Sequence, residues 1–277
     1  MSVEDDTEKQ ARDAINQYTS TVAYPVIWTD GTKIITLGTG VLFRHQDRHF
    51  LLTAKHLFAA FTGPRFPYEG LVGPTTRKHG IPRELGKIHV YETKGEDSDF
   101  LDVIAIELLD AELIGLIKQT WSFITVEDFA LPNPESVYFI AGFPKERERQ
   151  FGEHVGAALL TLTTNQTDQI PSDVEHYDPN VDLFCKYDKT AADFYNNNEL
   201  VSAPWVGGVS GGPAFRVADL APAVWTPQSG TRFVGLQSSA STSKQWLRIK
   251  NVYAVAAYFK EASSDIAEAI LAHLSKQ

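Results

Sequence analysis

The residues best placed to do chemistry lie in Gly207-Gly208-Val209-Ser210-Gly211-Gly212-Pro213. A serine hydroxyl set among four glycines serves no packing purpose. The glycines also permit a turn tight enough to aim backbone N–H groups into one cavity, the requirement for stabilising an oxyanion. By itself the run also reads as a glycine-rich β-turn. Upstream, Leu51-Leu52-Thr53-Ala54-Lys55-His56-Leu57 places a histidine just beyond an apolar strand, where a general base would be held rigidly. Between the two, Asp97, Asp99 and Asp102 fall within six residues. Asp102 alone directly precedes the apolar run Val103-Ile104-Ala105-Ile106, so it is the carboxylate expected at a rigid strand end, the better support for a working side chain. Taken singly, a strand-end histidine is a structural residue and an aspartate before a strand a solvated turn.

Other polar residues carry less. His45 and His49 are four apart, the spacing of zinc ligands on a helix, but they flank a turn and are expected at the surface, so no metal and no cofactor is implied. Cys185, the single cysteine, forbids an intrachain disulfide and reads as a small core hydrophobe between Phe184 and Lys186. His273 falls on the apolar stripe of a C-terminal helix and is expected to pack.

The elements that must hold these residues are strands. Tyr24 to Trp28 and Ile34 to Phe43 are β-branched and aromatic runs about an Asp30-Gly31 turn, and Phe50 to Thr53 follows a polar turn, giving a three-strand meander. Further strands are expected at Ile88 to Tyr91, Val103 to Leu109, Val137 to Ala141, Gly156 to Leu162, Leu183 to Tyr187, Gly212 to Val217 and Arg232 to Gln237. Leu131-Pro132-Asn133-Pro134 is the expected boundary, because two prolines so spaced exclude a central strand or helix interior. Ala11, Ala14, Ile15 and Tyr18 after Glu4-Asp5-Asp6 predict an N-terminal helix, and Asp265 with Glu268 opens a capped C-terminal one. The reading is all-β with a short helix at each end: helix 1–20, a first β unit 21–130, a second 131–260, and helix 261–277.

As an ordered set on a two-unit β chain, His56, Asp102 and Ser210 resemble the trypsin-like, chymotrypsin-fold serine peptidases, closest to their disulfide-free bacterial branch. Thr39-Gly40-Val41-Leu42-Phe43 looks like the strand preceding the histidine there, and Ala141-Gly142-Phe143-Pro144 like the opening of its second barrel. The resemblance spans about residues 21 to 260. It implies a double antiparallel β-barrel with the site in the cleft between barrels. Ser210 is then the nucleophile, His56 the general base, and Asp102 the residue fixing the imidazole tautomer, with Gly208 and Ser210 N–H groups as the oxyanion hole. The chain departs from the family at Val209, where zymogen-type members carry the aspartate that pairs a freshly cut N-terminus. Pro204 stands where digestive trypsins carry the acidic base of the specificity pocket, so cleavage after Lys or Arg is not supported. Gly235-Leu236-Gln237-Ser238-Ser239 offers only apolar and neutral polar groups for the opposite wall, which leads us to expect small or apolar residues on the acyl side of the cut.

Composition bounds the setting. The 277 residues, 43% hydrophobic and 22% charged, suit a globular protein with a sizeable core. A formal charge of -10, from 25 basic and 35 acidic residues, repels polyphosphate and disfavours a nucleic-acid partner. No run of 18 apolar residues exists, and Met1 opens on Ser2-Val3-Glu4-Asp5-Asp6 rather than a basic then apolar leader, so a cytoplasmic location without a membrane partner is expected. The expected function is a serine endopeptidase with a polypeptide substrate, restrained by narrow specificity or a regulatory protein partner. Two alternatives stay open: a catalytically silent protease-fold binder, and an esterase using the Gly208-x-Ser210-x-Gly212 pattern, which requires a helix after the serine and a downstream histidine, His273.

Overall fold

In the computed structural model the residues described are 3–59, 68–76, 82–91, 93, 100–151, 154–172, 174–187, 190–193, 199–203, 205–218 and 225–277. A helix, α1 (Val3–Val22), leads into a seven-stranded antiparallel sheet. Its strands are β1 (Ala23–Thr29), β2 (Ile34–His45), β3 (Arg48–Thr53), β4 (Leu71–Pro74), β5 (Pro82–Glu84), β6 (Ile88–Val90) and β7 (Ile104–Leu108), in the order β5-β4-β1-β2-β3-β7-β6. The β1-β2-β3 meander follows the turn chemistry, with Gly40 opposite Thr53 and Phe43 opposite Phe50. This sheet is curled, and among the described residues its two edge strands are not paired to each other.

After a short helix, α2 (Ala111–Ile117), the chain enters a second sheet. It comprises β8 (Val137–Gly142), β11 (Leu160–Asn165), β12 (Asp182–Lys186), β13 (Thr190–Asp193), β14 (Glu199–Ser202), β15 (Pro213–Val217), β16 (Thr231–Ser241) and β17 (Trp246–Asn251). A separate hairpin is formed by β9 (Glu148–Phe151) and β10 (His154–Ala157). The order β12-β17-β16-β15-β8-β11 turns back on itself where Gln166, just past β11, bridges Cys185 of β12 and Thr167 N donates to Phe184 O at 2.9 Å. Six strands thereby close a barrel. Two helices end the chain, α3 (Val252–Ala262) and α4 (Ser264–Leu274).

The architecture is all-β in two antiparallel units, as the sequence led us to expect, but the helices differ. The C-terminal helical region starts at Val252, because Asn251 accepts hydrogen bonds from Tyr253 N and Ala254 N and caps a helix directly off β17. Ser263, not Asp265, is the N-cap of α4. Asp265 sits within the first turn, its carboxylate drawn to Arg48 at 3.6 Å. The strand expected at Gly156 to Leu162 is split between β10 and β11.

Three apolar cores follow. One fills the first unit around Leu42, Leu51, Ile106 and Trp121, and another fills the closed barrel around Tyr138, Leu183, Cys185 and Val234. The largest joins the units: Phe43, Phe50 and Leu52 from the first sheet and Phe215 and Phe233 from the second pack with Val255, Phe259 and Ile270 of the terminal helices. Both sheets thereby share one apolar core with the terminal helices. Tyr258 of α3 accepts from Ala105 N at 2.9 Å, tying that helix to the strand that begins beside Asp102.

Candidate active site

Where β3 ends, Lys55–Phe58 form a single 3-10 turn, with Phe58 buried and His56 turned to the cleft. Asp102 lies two residues before β7 with a left-handed φ of 48°. Aspartate tolerates that conformation better than most side chains, and such strain collects at functional sites. The conformation aims the carboxylate at the 3-10 turn. His56 Nδ1 lies 2.8 Å from Oδ2, His56 N donates to Oδ1 at 2.9 Å, and Ser238 Oγ donates to Oδ2 at 2.6 Å. The acid is 12% exposed and the imidazole 45%, so the pair has one buried and one accessible end.

A carboxylate facing Nδ1 makes that nitrogen the donor and leaves Nε2 as the acceptor toward the cleft, the tautomer a general base needs. Burial alone would lower the His56 pKa, but the hydrogen bond and charge of Asp102 outweigh it and hold it above the ordinary imidazole value. Burial would likewise raise the Asp102 carboxyl; His56 and Ser238 outweigh that and keep it below the usual range.

Ser210 lies in the turn between Val206 and Gly212, and Gly208 has a φ of 97° that other residues rarely adopt. The turn is built from the first unit as well as the second. Thr39 of β2 donates its hydroxyl to Gly208 O at 2.8 Å and accepts from Phe143 N at 2.9 Å, and Thr39 N donates to Ser210 O at 2.9 Å. Gly211, at φ 82°, lies so close to Thr39 O that a Cβ there would collide with it. Among the described residues the N–H groups of Gly208 and Ser210 have no acceptor, whereas Val209 N and Gly211 N are bonded to Val206 O and Gln237 O. The two N–H groups left over are the serine's own and that of the residue two before it. Ser210 Oγ itself donates to Ser238 O at 3.0 Å.

His56, Asp102 and Ser210 line one cleft of about 480 Å³, within the usual range for ligand sites. Gln237 and Ser238 of the expected substrate wall border it too. Gly235 and Leu236 do not: Leu236 is 1% exposed in the joint core, and Gly235 packs against the Lys250 backbone at an irregularity in β16. Pro204, Asp97 and Asp99 lie outside the described residues. Arg248 and Lys250 of β17 border the cleft as well, and they share Asp182 of β12. Burial lowers the Lys250 ammonium pKa, against the pull of Asp182. Holding three buried ions together offsets the cost of desolvating each.

The remaining singled-out residues are structural. Val209 is 2% exposed and packs in the barrel core, with Gly142 leaving it room. His49 is buried rather than at the surface, edge-on to Phe123 with ring centroids 5.1 Å apart. Cys185 is fully buried, which pushes its thiol up to about 12. His273 Nε2 meets Phe129 O at 3.1 Å and does not border the cleft, and β15 rather than a helix follows Ser210. These two facts remove the nucleophile-elbow esterase.

No protein-family model and no curated protein matches the chain. Among solved structures it is similar to one from work on the coupled folding and binding of the Sesbania mosaic virus VPg protein, at 14% identity and a TM-score of 0.47, covering 88% of this chain and 92% of that one. It is also similar to the tobacco vein mottling virus protease, at 12% identity and a TM-score of 0.43 over 86% and 79% of the two chains. For the Vibrio cholerae VesB protease the values are 14%, 0.47, 89% and 63%. All three TM-scores lie below 0.5, and the two antiparallel β units and the cleft carry the reading by themselves. Among the described residues no helix is long and apolar enough to cross a membrane.

Sequence reasoning missed Thr39 and the Asp182, Arg248 and Lys250 cluster. Each acts across 66 to 169 residues of chain, for which a single sequence gives no local signal.

Proposed function

We propose that the protein is a serine endopeptidase that cleaves polypeptides through an acyl-enzyme on Ser210. The observation carrying this reading is the convergence in one cleft of a half-exposed imidazole fixed by a buried carboxylate and a serine hydroxyl, on a turn whose Gly208 and Ser210 N–H groups have no acceptor among the described residues. Rotation about one bond frees Ser210 Oγ from Ser238 O. His56 Nε2 then accepts its proton as Oγ attacks the substrate carbonyl, and the Gly208 and Ser210 N–H groups receive the oxyanion. The imidazolium returns the proton to the leaving amine as the C–N bond breaks. Water, deprotonated by the same nitrogen, releases the acid and regenerates Ser210.

The Ser210 to Ser238 bond favours a second reading, a protease-fold binder whose serine stays turned away from the base. Mass spectrometry of an unfolded polypeptide incubated with the protein separates the two. New termini that are absent with Ser210→Ala support the peptidase. Intact polypeptide retained on the protein supports the binder, and cleavage surviving in Ser210→Ala excludes this mechanism.

A further inference from the structure

Lys250 is 2% exposed, yet it borders the cleft that holds His56 and Ser210. Its ammonium has three N–H groups, and among the described residues only Asp182 Oδ1, at 2.7 Å, accepts one. Asp182 has no capacity to spare: Arg248 forks onto it with Nε to Oδ1 at 2.7 Å and Nη2 to Oδ2 at 2.6 Å, and Asp178 N adds 2.9 Å to Oδ2. Of the remaining Arg248 donors, Nη1 reaches Glu175 O at 3.3 Å and Nη2 His176 O at 2.6 Å, so four of its five N–H groups have acceptors among the described residues. Two cations thus face one carboxylate. The other titratable groups on the cleft wall are His56, Asp102, Glu175 and His176. Asp102 acts on the Lys250 charge, but its oxygens are occupied by His56 and Ser238. A chain with a net charge of -10 therefore keeps a buried ammonium with unused donors beside its candidate nucleophile. A buried cation lacking full compensation is costly, and a substrate group bringing negative charge and acceptors would complete it.

We infer that the cleft selects polypeptides bearing a glutamate or aspartate side chain near the reacting bond, the carboxylate accepting from Lys250 at the end of the cleft walled by Arg248 and His176. This rests on the peptidase reading for its consequence, but not for the binding itself. A glutamine side chain is the nearest competitor, since it could accept from Lys250 while donating to Gln237 Oε1, which is buried without a partner among the described residues. It leaves the extra positive charge uncompensated, so the carboxylate is favoured. This preference differs from the small or apolar one expected from the sequence, and the same library reads both.

The test uses an octapeptide library randomised over all amino acids, incubated with the protein and with Ser210→Ala. Cleaved peptides are read with the first and retained peptides with the second, by mass spectrometry. Glutamate and aspartate should be enriched at one position, about tenfold or more over glutamine and asparagine. Lys250→Met should bring that ratio near one, and Lys250→Arg should keep it. Acidic peptides retained but never cleaved would sustain this inference and overturn the peptidase. Cleavage or retention without acidic enrichment, or with glutamine equal to glutamate, overturns the inference and leaves the peptidase standing. Because the enrichment is measured on the unsubstituted protein and on Ser210→Ala, poor folding of a Lys250 variant does not remove the test.

Discussion

Ser238 holds both ends of the candidate catalytic array: its carbonyl oxygen accepts from Ser210 Oγ at 3.0 Å while its hydroxyl donates to Asp102 Oδ2 at 2.6 Å. One residue of the second unit thereby sets the resting position of the Ser210 hydroxyl and helps orient the carboxylate contributed by the first. Expected from sequence on the substrate wall, Ser238 borders the cleft, and under the proposed mechanism its two hydrogen bonds give it a positioning role as well.

Ser238→Ala is expected to lower kcat about 10- to 100-fold with KM little changed, since a hydrogen bond to a charged group contributes about 1.5–3 kcal/mol. Ser238→Thr, which keeps the donor, should recover most of the rate. A loss confined to KM would contradict the positioning role.

The profile of kcat/KM against pH should rise through a midpoint above the ordinary histidine value of ~6.5, because only neutral His56 accepts the serine proton and Asp102 favours the charged form. Asp102→Asn should fold normally, lose on the order of 10⁴ in turnover, and move the midpoint down, since burial then acts without the carboxylate. An unmoved midpoint would show that another group controls the profile.

Thr39→Val keeps the shape of the side chain but deprives Gly208 O of its donor and Phe143 N of its acceptor. Each buried group left unpaired costs about 1–3 kcal/mol. Urea denaturation should show the loss and kcat should fall with it, while Thr39→Ser preserves both. Wild-type stability and turnover in Thr39→Val would mean that the turn around Gly208 is held by other contacts.

The β1-β2-β3 meander was legible because alternation and an Asp-Gly turn are local signals, and the His56 and Ser210 segments because a strand end and a cluster of glycines are too. What stayed hidden was non-local. The alternation of Leu247 and Ile249 with Arg248 and Lys250 in β17 has the form of a half-solvated strand, yet both cations are buried because Asp182 lies on the neighbouring strand. The start of α3 carries no glycine or proline; its signal is the Asn251 side chain, which reveals a cap only once the helix exists. His49 looked polar and exposed, but the segment after α2 pairs Ile124 with Phe43 of β2 and sets Phe123 edge-on to it.

Asp182→Asn should destabilise the protein by about 3–5 kcal/mol at neutral pH, because it leaves Arg248 and Lys250 buried without their shared anion. The native carboxyl is held below its ordinary range against the pull of burial, by Arg248, Asp178 N and Lys250. Its contribution is therefore complete well above the unfolded value of ~3.9 and is lost as pH falls through the depressed native value. Denaturation midpoints of the two proteins should converge on acidification; a constant gap down to pH 2 would contradict the linkage.

The central claim, that Ser210 is a nucleophile activated by His56, is tested most directly by the site and rate of labelling with a fluorophosphonate. The account predicts one adduct per chain, located to Ser210 by tandem mass spectrometry, forming at least about a hundredfold more slowly in His56→Ala. An unlabelled Ser210 in folded protein, or labelling equally fast without His56, would contradict it.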